Sequence, residues 1–136
     1  MPATSSPALG QRQTRQRDAI LRVILEADGP LSVPEIHELA RREHARTGLA
    51  TIYRTLKLLQ DGGQVQCVIL PSGESRFEAA RRGHHEHFQC RACEHVFDLH
   101  ECPLQLPRGA ELGGGFIVED HELTLYGLCP DCADKR

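Results

Sequence analysis

The chain has 136 residues with no Trp, six Cys and eight His, a size that suits one domain or two very small ones whose halves lack the apolar residues for a large core, so metal cross-links and oligomerisation are the expected supports. The formal charge of −3 divides unevenly: residues 1–82 carry +3 and residues 83–136 carry −6, which suits an anionic partner for the first part and cations for the second. The start MPATSSPALGQRQ holds no apolar signal-peptide core, and Ile20 to Leu25 is too short, and broken by Arg22, to span a bilayer, so the expectation is a cytoplasmic chain with no membrane contact.

In chain order, residues 1–11 are rich in Pro, Ala and Ser and are expected to be disordered. From about Arg12 to Ala27 the spacing predicts a helix with Ile20, Val23, Ile24 and Ala27 on one face and Arg15 and Arg22 on the other. Asp28-Gly29-Pro30 ends it. Ser32-Val33-Pro34-Glu35 reads as a capping box that opens a second helix, with Ile36, Leu39 and Ala40 facing inward. A third helix is predicted over Leu49 to Asp61, burying Ile52, Leu56 and Leu59 and presenting Tyr53, Arg54 and Lys57, until Gly62-Gly63 stops it.

Two strand-like runs follow, Val65–Leu70 and Ser75–Ala79, around the turn Pro71-Ser72-Gly73-Glu74. Cys67 alternates with Val65 and Ile69 and is expected to be a small buried residue. Three helices and a hairpin make a winged helix-turn-helix over residues 12–80, whose third helix is the natural element to enter a DNA major groove. Arg15 and Thr51 are candidate phosphate contacts beside Tyr53, Arg54 and Lys57. A charged helix face alone is ordinary; its place behind a helix-turn-helix gives it weight.

Residues 81–83 read as a hinge linker, and residues 84–136 as a second domain. Strands are predicted near His84–Gln89, His95–Leu99 and Phe116–Tyr126, with a helix or irregular segment around Pro103–Leu112 between the second and third. The pairs Cys90/Cys93 and Cys129/Cys132 have the spacing of a closed four-thiolate zinc site. A redox dithiol is the competing reading, but two such pairs without a thioredoxin-like context argue against it.

Beside them stands the run His84-His85-Glu86-His87. On a strand, alternation puts His85 and His87 on one face and His84 and Glu86 on the other. Asp98 is a candidate partner on the first face, with Glu78 reaching the same pocket from the wing. Cys102 and His121 are candidates to complete the site on the second face. A solvated polar strand is the bland alternative; three His in four residues beside zinc cysteines favour metal. A hydrolase using this cluster lacks a His-Glu-x-x-His helix and an evident cleft, so no enzyme and no small-molecule substrate are expected.

The strings Gly48-Leu-Ala-Thr-Ile-Tyr-Arg-Thr-Leu56, His84-His-Glu-His-Phe-Gln-Cys-Arg-Ala-Cys93 and His121…Tyr126-Gly-Leu-Cys-Pro-Asp-Cys132 together resemble the ferric uptake regulator superfamily over about residues 12–133. The resemblance implies an α+β chain: an N-terminal winged helix followed by a small α/β dimerisation domain with a four-cysteine zinc site. It implies a homodimeric, metal-activated repressor that binds a double-stranded DNA operator. The family's structural zinc falls on Cys90, Cys93, Cys129 and Cys132, its hinge sensing site on Glu78, His85, His87 and Asp98, and its second site on His84, Glu86 and His121. Its recognition helix falls on residues 49–61, with Tyr53 and Arg54 approaching DNA.

Three positions depart from the pattern. Pro30 stands where iron- and peroxide-sensing members supply a further His, Gln105 where the second site commonly has Glu, and Ala80 where zinc sensors often place a Cys. A thiolate from Cys102 replacing the missing Glu favours Zn²⁺, so the reading is a zinc-responsive repressor of metal-uptake genes, similar to zinc uptake regulators. Without Cys102 the nitrogen and oxygen donors of the hinge suit Mn²⁺ or Fe²⁺ equally, giving a manganese, iron or peroxide sensor. A zinc-stapled interaction module without DNA binding is the alternative from a different class.

Overall fold

The computed structural model describes the backbone of residues 9–80 and 86–135 and the side chains of residues 14–80 and 86–135. The chain divides into two units, residues 1–81 and 82–136.

The first unit opens with α1 (Leu9–Glu26), α2 (Val33–Glu43) and α3 (Leu49–Asp61). Helix α1 starts at Leu9, so residues 9–11 are helical where disorder was expected; Leu9, Gln11 and the residues after them are better helix formers than the Pro/Ser stretch before. Ala19, Ile20 and Ile24 of α1 are buried with Ile36 and Ala40 of α2 and with Ile52, Leu56 and Leu59 of α3. Ile20 and Ile24, Ile36 and Ala40, and Ile52, Leu56 and Leu59 follow at three- or four-residue spacing, the signature of a helix with one apolar stripe.

The helix ends have identifiable causes. Ser32 Oγ accepts the Glu35 amide at 3.3 Å while the Glu35 carboxylate accepts the Ser32 amide at 3.0 Å, a complete capping box with Pro34 in the first turn. Helix α3 closes with Gly63 at φ 72°, its N–H reaching Gln60 O and the Gln64 N–H reaching Leu59 O, which is a Schellman end.

Strands β1 (Val65–Ile69) and β2 (Ser75–Ala79) pair antiparallel from Val65↔Ala79 to Ile69↔Ser75. Leu31 adds a bridge, exchanging both backbone hydrogen bonds with Phe77 at 2.8 Å, so the segment between α1 and α2 is stitched to the wing. Arg76, only 5 % exposed, donates to Glu35 on α2 at 2.8 Å and to Glu74 at 3.2 Å. Cys67 is exposed, against the expectation of burial. Beyond Val65 the strand leaves the helical core, so alternation along it faces no second layer; Ile69 is exposed too.

In the second unit β3 (Glu86–Cys90) lies between β4 (Val96–Leu99), antiparallel, and β7 (Thr124–Gly127), parallel. A parallel pair needs a crossover, and residues 100–123 supply it. They hold a two-stranded hairpin, β5 (Glu111–Leu112) with β6 (Phe116–Ile117), and no helix. Gln105 and Gly109 both take positive φ there, which breaks any helical run. The single strand expected over Phe116–Tyr126 is two strands with different partners, separated by the polar stretch Glu119–Glu122. A short helix not foreseen, α4 (Pro130–Asp134), ends the unit. Among the described residues of this unit the buried apolar side chains are Cys90, Val96 and Cys129. So thin a core calls for a staple.

Candidate metal centres and DNA-facing helix

The four motif cysteines arrive from two places. Cys90 ends β3 and Cys93 lies in the turn after it, and Cys129 with Cys132 sit at the start of α4. The parallel pairing of Cys90 with Gly127 brings the two segments together. Their sulfurs all lie within 4.8 Å of one another, with Cys93 and Cys129 at 3.9 Å, and all four are free thiols. Ligands about 2.0–2.3 Å from a tetrahedral Zn²⁺ stand roughly 3.3–3.8 Å apart, so the cluster fits that ion.

The thiols are unequal. Backbone hydrogen bonds from Cys93 and Cys129 hold Cys90 down at about 6 in spite of its burial. The side chains of Cys129 and Cys90, with burial, push Cys132 up to about 12. Cys93 is pulled down by a backbone hydrogen bond at His95, but burial and the sulfurs of Cys90 and Cys129 leave it raised. One thiolate is thus ready-made, and others must lose a proton to bind metal.

A second cluster lies within the same unit: Glu86 on β3, Cys102 just beyond β4, and His121 on the loop before β7, with ligand atoms within 4.8 Å of one another. His121 Nε2 is 3.0 Å from Glu86 Oε1 and 3.3 Å from Cys102 Sγ. The Glu86 carboxylate is almost fully buried. One ring nitrogen serves these two neighbours poorly. As an N–H it donates to Glu86 and offers the thiol no lone pair; as a lone pair it faces a carboxylate. A cation held by all three removes the conflict, and the mixed O, N and S donors fit Zn²⁺.

On the other side of β3, His87 stands directly across from Asp98 on β4, with Nε2 3.3 Å from Oδ1. The Asp98 side chain is only 3 % exposed, a setting in which a carboxylate is held by a cation or by hydrogen bonds. Glu78, in the first unit, is buried on β2 and accepts from Gln66 Nε2 at 2.8 Å. His84 and His85 lie outside the described residues.

On α3, Tyr53, Arg54 and Lys57 are exposed, and Thr51, half-buried, accepts from Arg54 Nη2 at 3.4 Å. Arg15 is exposed on α1. Two residues that sequence reading did not single out fix the approach to α3. His37 on α2 contacts the Thr47 carbonyl at 2.9 Å, and Thr47 Oγ1 donates to His44 O at 2.8 Å. The missing signal was the N-cap position: Gly48 has no side chain to cap α3, so the turn is held from elsewhere.

A sequence model of the ferric uptake regulator family matches residues 8–126. The zinc uptake regulation protein of Mycobacterium tuberculosis H37Rv is 33 % identical over 127 residues, 92 % of this chain and 97 % of that protein. The ferric uptake regulation protein of Bacillus subtilis is 34 % identical over 128 residues, 90 % of this chain and 86 % of the relative. Among solved structures, a zinc-bound manganese uptake regulator superposes with a TM-score of 0.73 at 27 % identity, covering 88 % of this chain and 94 % of its own. With the helix-turn-helix, the wing and the four-cysteine cluster in place, the chain belongs to the ferric uptake regulator family of metal-responsive transcription regulators.

Proposed function

We propose that this protein is a zinc-activated repressor that binds operator DNA as a homodimer and controls metal-uptake genes in the cytoplasm. The observation that carries the reading is the Glu86–Cys102–His121 cluster, a metal-fitting set that includes a soft sulfur donor and is separate from the four-cysteine cluster. The four cysteines hold the structural Zn²⁺, and the second set, with His84 as a further ligand, answers to the zinc level. The family pattern implies a hinge sensing site at Glu78, His85, His87 and Asp98. Arg54 and Tyr53 read bases, while Arg15, Thr51 and Lys57 hold phosphates. Support for the dimer comes from the exposed Leu112, Phe116, Ile117 and Tyr126 of the second unit, apolar surface of the kind a partner covers. No described helix is long and apolar enough to cross a membrane.

The likeness to a manganese regulator keeps a second reading, in which the nitrogen and oxygen donors of the hinge take Mn²⁺ or Fe²⁺. Affinity for a duplex from the protein's own upstream region, measured with Zn²⁺, Mn²⁺ and Fe²⁺ at buffered free concentrations, separates the two. Zinc should raise affinity at the lowest free concentration, and Cys102→Ser should move the zinc midpoint tenfold or more while sparing manganese. Equal movement for both metals, or none, would favour the second reading.

A further inference from the structure

We propose that His37 is a positioning residue for DNA recognition: its ring Nε2–H holds the Thr47 carbonyl and thereby sets where the first turn of α3 points. The inference rests on the repressor reading and names a part of its DNA-binding machinery outside α3.

Four observations converge on the turn between α2 and α3. The Thr47 residue is 3 % exposed, so solvent does not serve its carbonyl. That carbonyl lies just before the N-cap, where the helix ladder begins with Gly48 O accepting the Ile52 amide. Its contact with His37 Nε2 at 2.9 Å can be a hydrogen bond only if the ring nitrogen carries the proton, because a carbonyl accepts and never donates. Gly48 supplies no side-chain cap of its own.

The rest of the turn is braced from the same direction. Arg41, one helical turn beyond His37 on α2, donates from Nε to Ala45 O at 3.2 Å. Thr47 closes the loop on itself through Oγ1 and N–H, both reaching His44 O. His37 and Arg41 share a surface groove with Pro34, Glu38, Arg42 and Leu49, the first residue of α3.

Loss of the His37 proton donor leaves a buried carbonyl without its partner, and the simplest relief is to swing the 47–48 peptide toward water. That movement carries the N-terminal turns of α3 with it, and in a helix-turn-helix those turns meet base edges. Base contacts tolerate such a shift poorly, whereas phosphate contacts made by flexible side chains adapt. His37 therefore acts on specificity more than on general attraction to DNA.

The test uses the full-length, zinc-loaded protein at buffered free Zn²⁺, with a duplex from its own upstream region and a scrambled duplex of equal length. His37→Leu should lose tenfold or more in affinity for the first, with affinity for the scrambled duplex, its salt slope and zinc content unchanged. His37→Gln, which can place an N–H near the same point, should stay within threefold of wild type. His37→Asn, whose donor falls one bond short, should behave like the Leu variant. Wild-type affinity in His37→Leu, an equal loss in the Gln variant, or parallel losses on both duplexes would overturn the proposal. Should His37→Leu fail to fold, the Gln and Asn variants decide it: a tenfold gap between them supports the role and equality overturns it. Ring ¹⁵N spectra of the DNA-free protein give an independent arm, in which neutral His37 should be the Nε2–H tautomer and the Nδ1–H tautomer would sink the idea. A wild-type protein that binds no duplex at any metal level would instead fail the repressor reading, a result visible before any substitution is made.

Discussion

Cys90 and Cys132 sit in one cluster yet hold their protons very differently, and that inequality has a measurable consequence. Cys90 is lowered to about 6 by backbone hydrogen bonds, while Cys132 is raised to about 12 by its sulfur neighbours. Zinc binds thiolates, so loading the metal-free protein must expel whatever protons the sulfurs still carry. Near pH 7.5 Cys90 should contribute almost none, and Cys132 and the raised Cys93 should each release one. Below pH 6 Cys90 is protonated as well, so proton release per zinc should rise by about one as the pH falls through that value. The same sign holds for stability: the lowered Cys90 pKa favours the folded metal-free state above the ordinary thiol range, and this contribution disappears as pH drops through about 6. Indicator-dye titrations in weak buffer at several pH values measure the release directly; a release that does not change across pH 6 would contradict the assigned thiolate.

At the scale of elements, the wing is fastened by two devices, the Leu31–Phe77 bridge and the Arg76–Glu35 ion pair, and both meet at the capping box of α2. Arg76→Met keeps most of the side-chain volume but removes the guanidinium that Glu35 and Glu74 accept from. The cost should be about 2 kcal/mol, below the 3–5 kcal/mol typical of breaking a fully buried pair because Glu35 and Glu74 reach solvent. Denaturant midpoints of wild type and variant check this, and an unchanged midpoint would remove the pair from the account.

What the sequence revealed of these elements follows from how local their causes are. The helix over Leu49–Asp61 was legible to the residue because a Gly pair and a regular apolar stripe mark it. The Cys pairs were legible because ligand spacing is itself a covalent constraint. Burial of Cys67 was misread because alternation predicts a face only where something packs on it. The strand over Phe116–Tyr126 was misread because β propensity does not say which partner a strand will find; its break leaves His121 on a loop, where it turns to Glu86. No pattern in α2 marked His37, whose importance arises from a carbonyl ten residues away.

At the scale of the whole molecule, the repressor reading gives metal two tasks, on two clusters that are separate among the described residues. One cluster closes a unit with a thin apolar core, so zinc held there adds to the stability of the fold. The other offers a mixed set of donors, and a metal acting there is a ligand that prefers the DNA-competent state and shifts its population by no more than its differential affinity. The two tasks should therefore appear in sequence as zinc is added to metal-free protein. Fluorescence anisotropy of a labelled operator duplex, recorded against zinc equivalents per chain with zinc content measured in parallel, tests this division most directly. The first equivalent should raise the stability of the fold with little gain in operator affinity, and affinity should rise steeply only as the second is taken up. Full operator affinity at one equivalent, or affinity indifferent to zinc beyond folding, would contradict it.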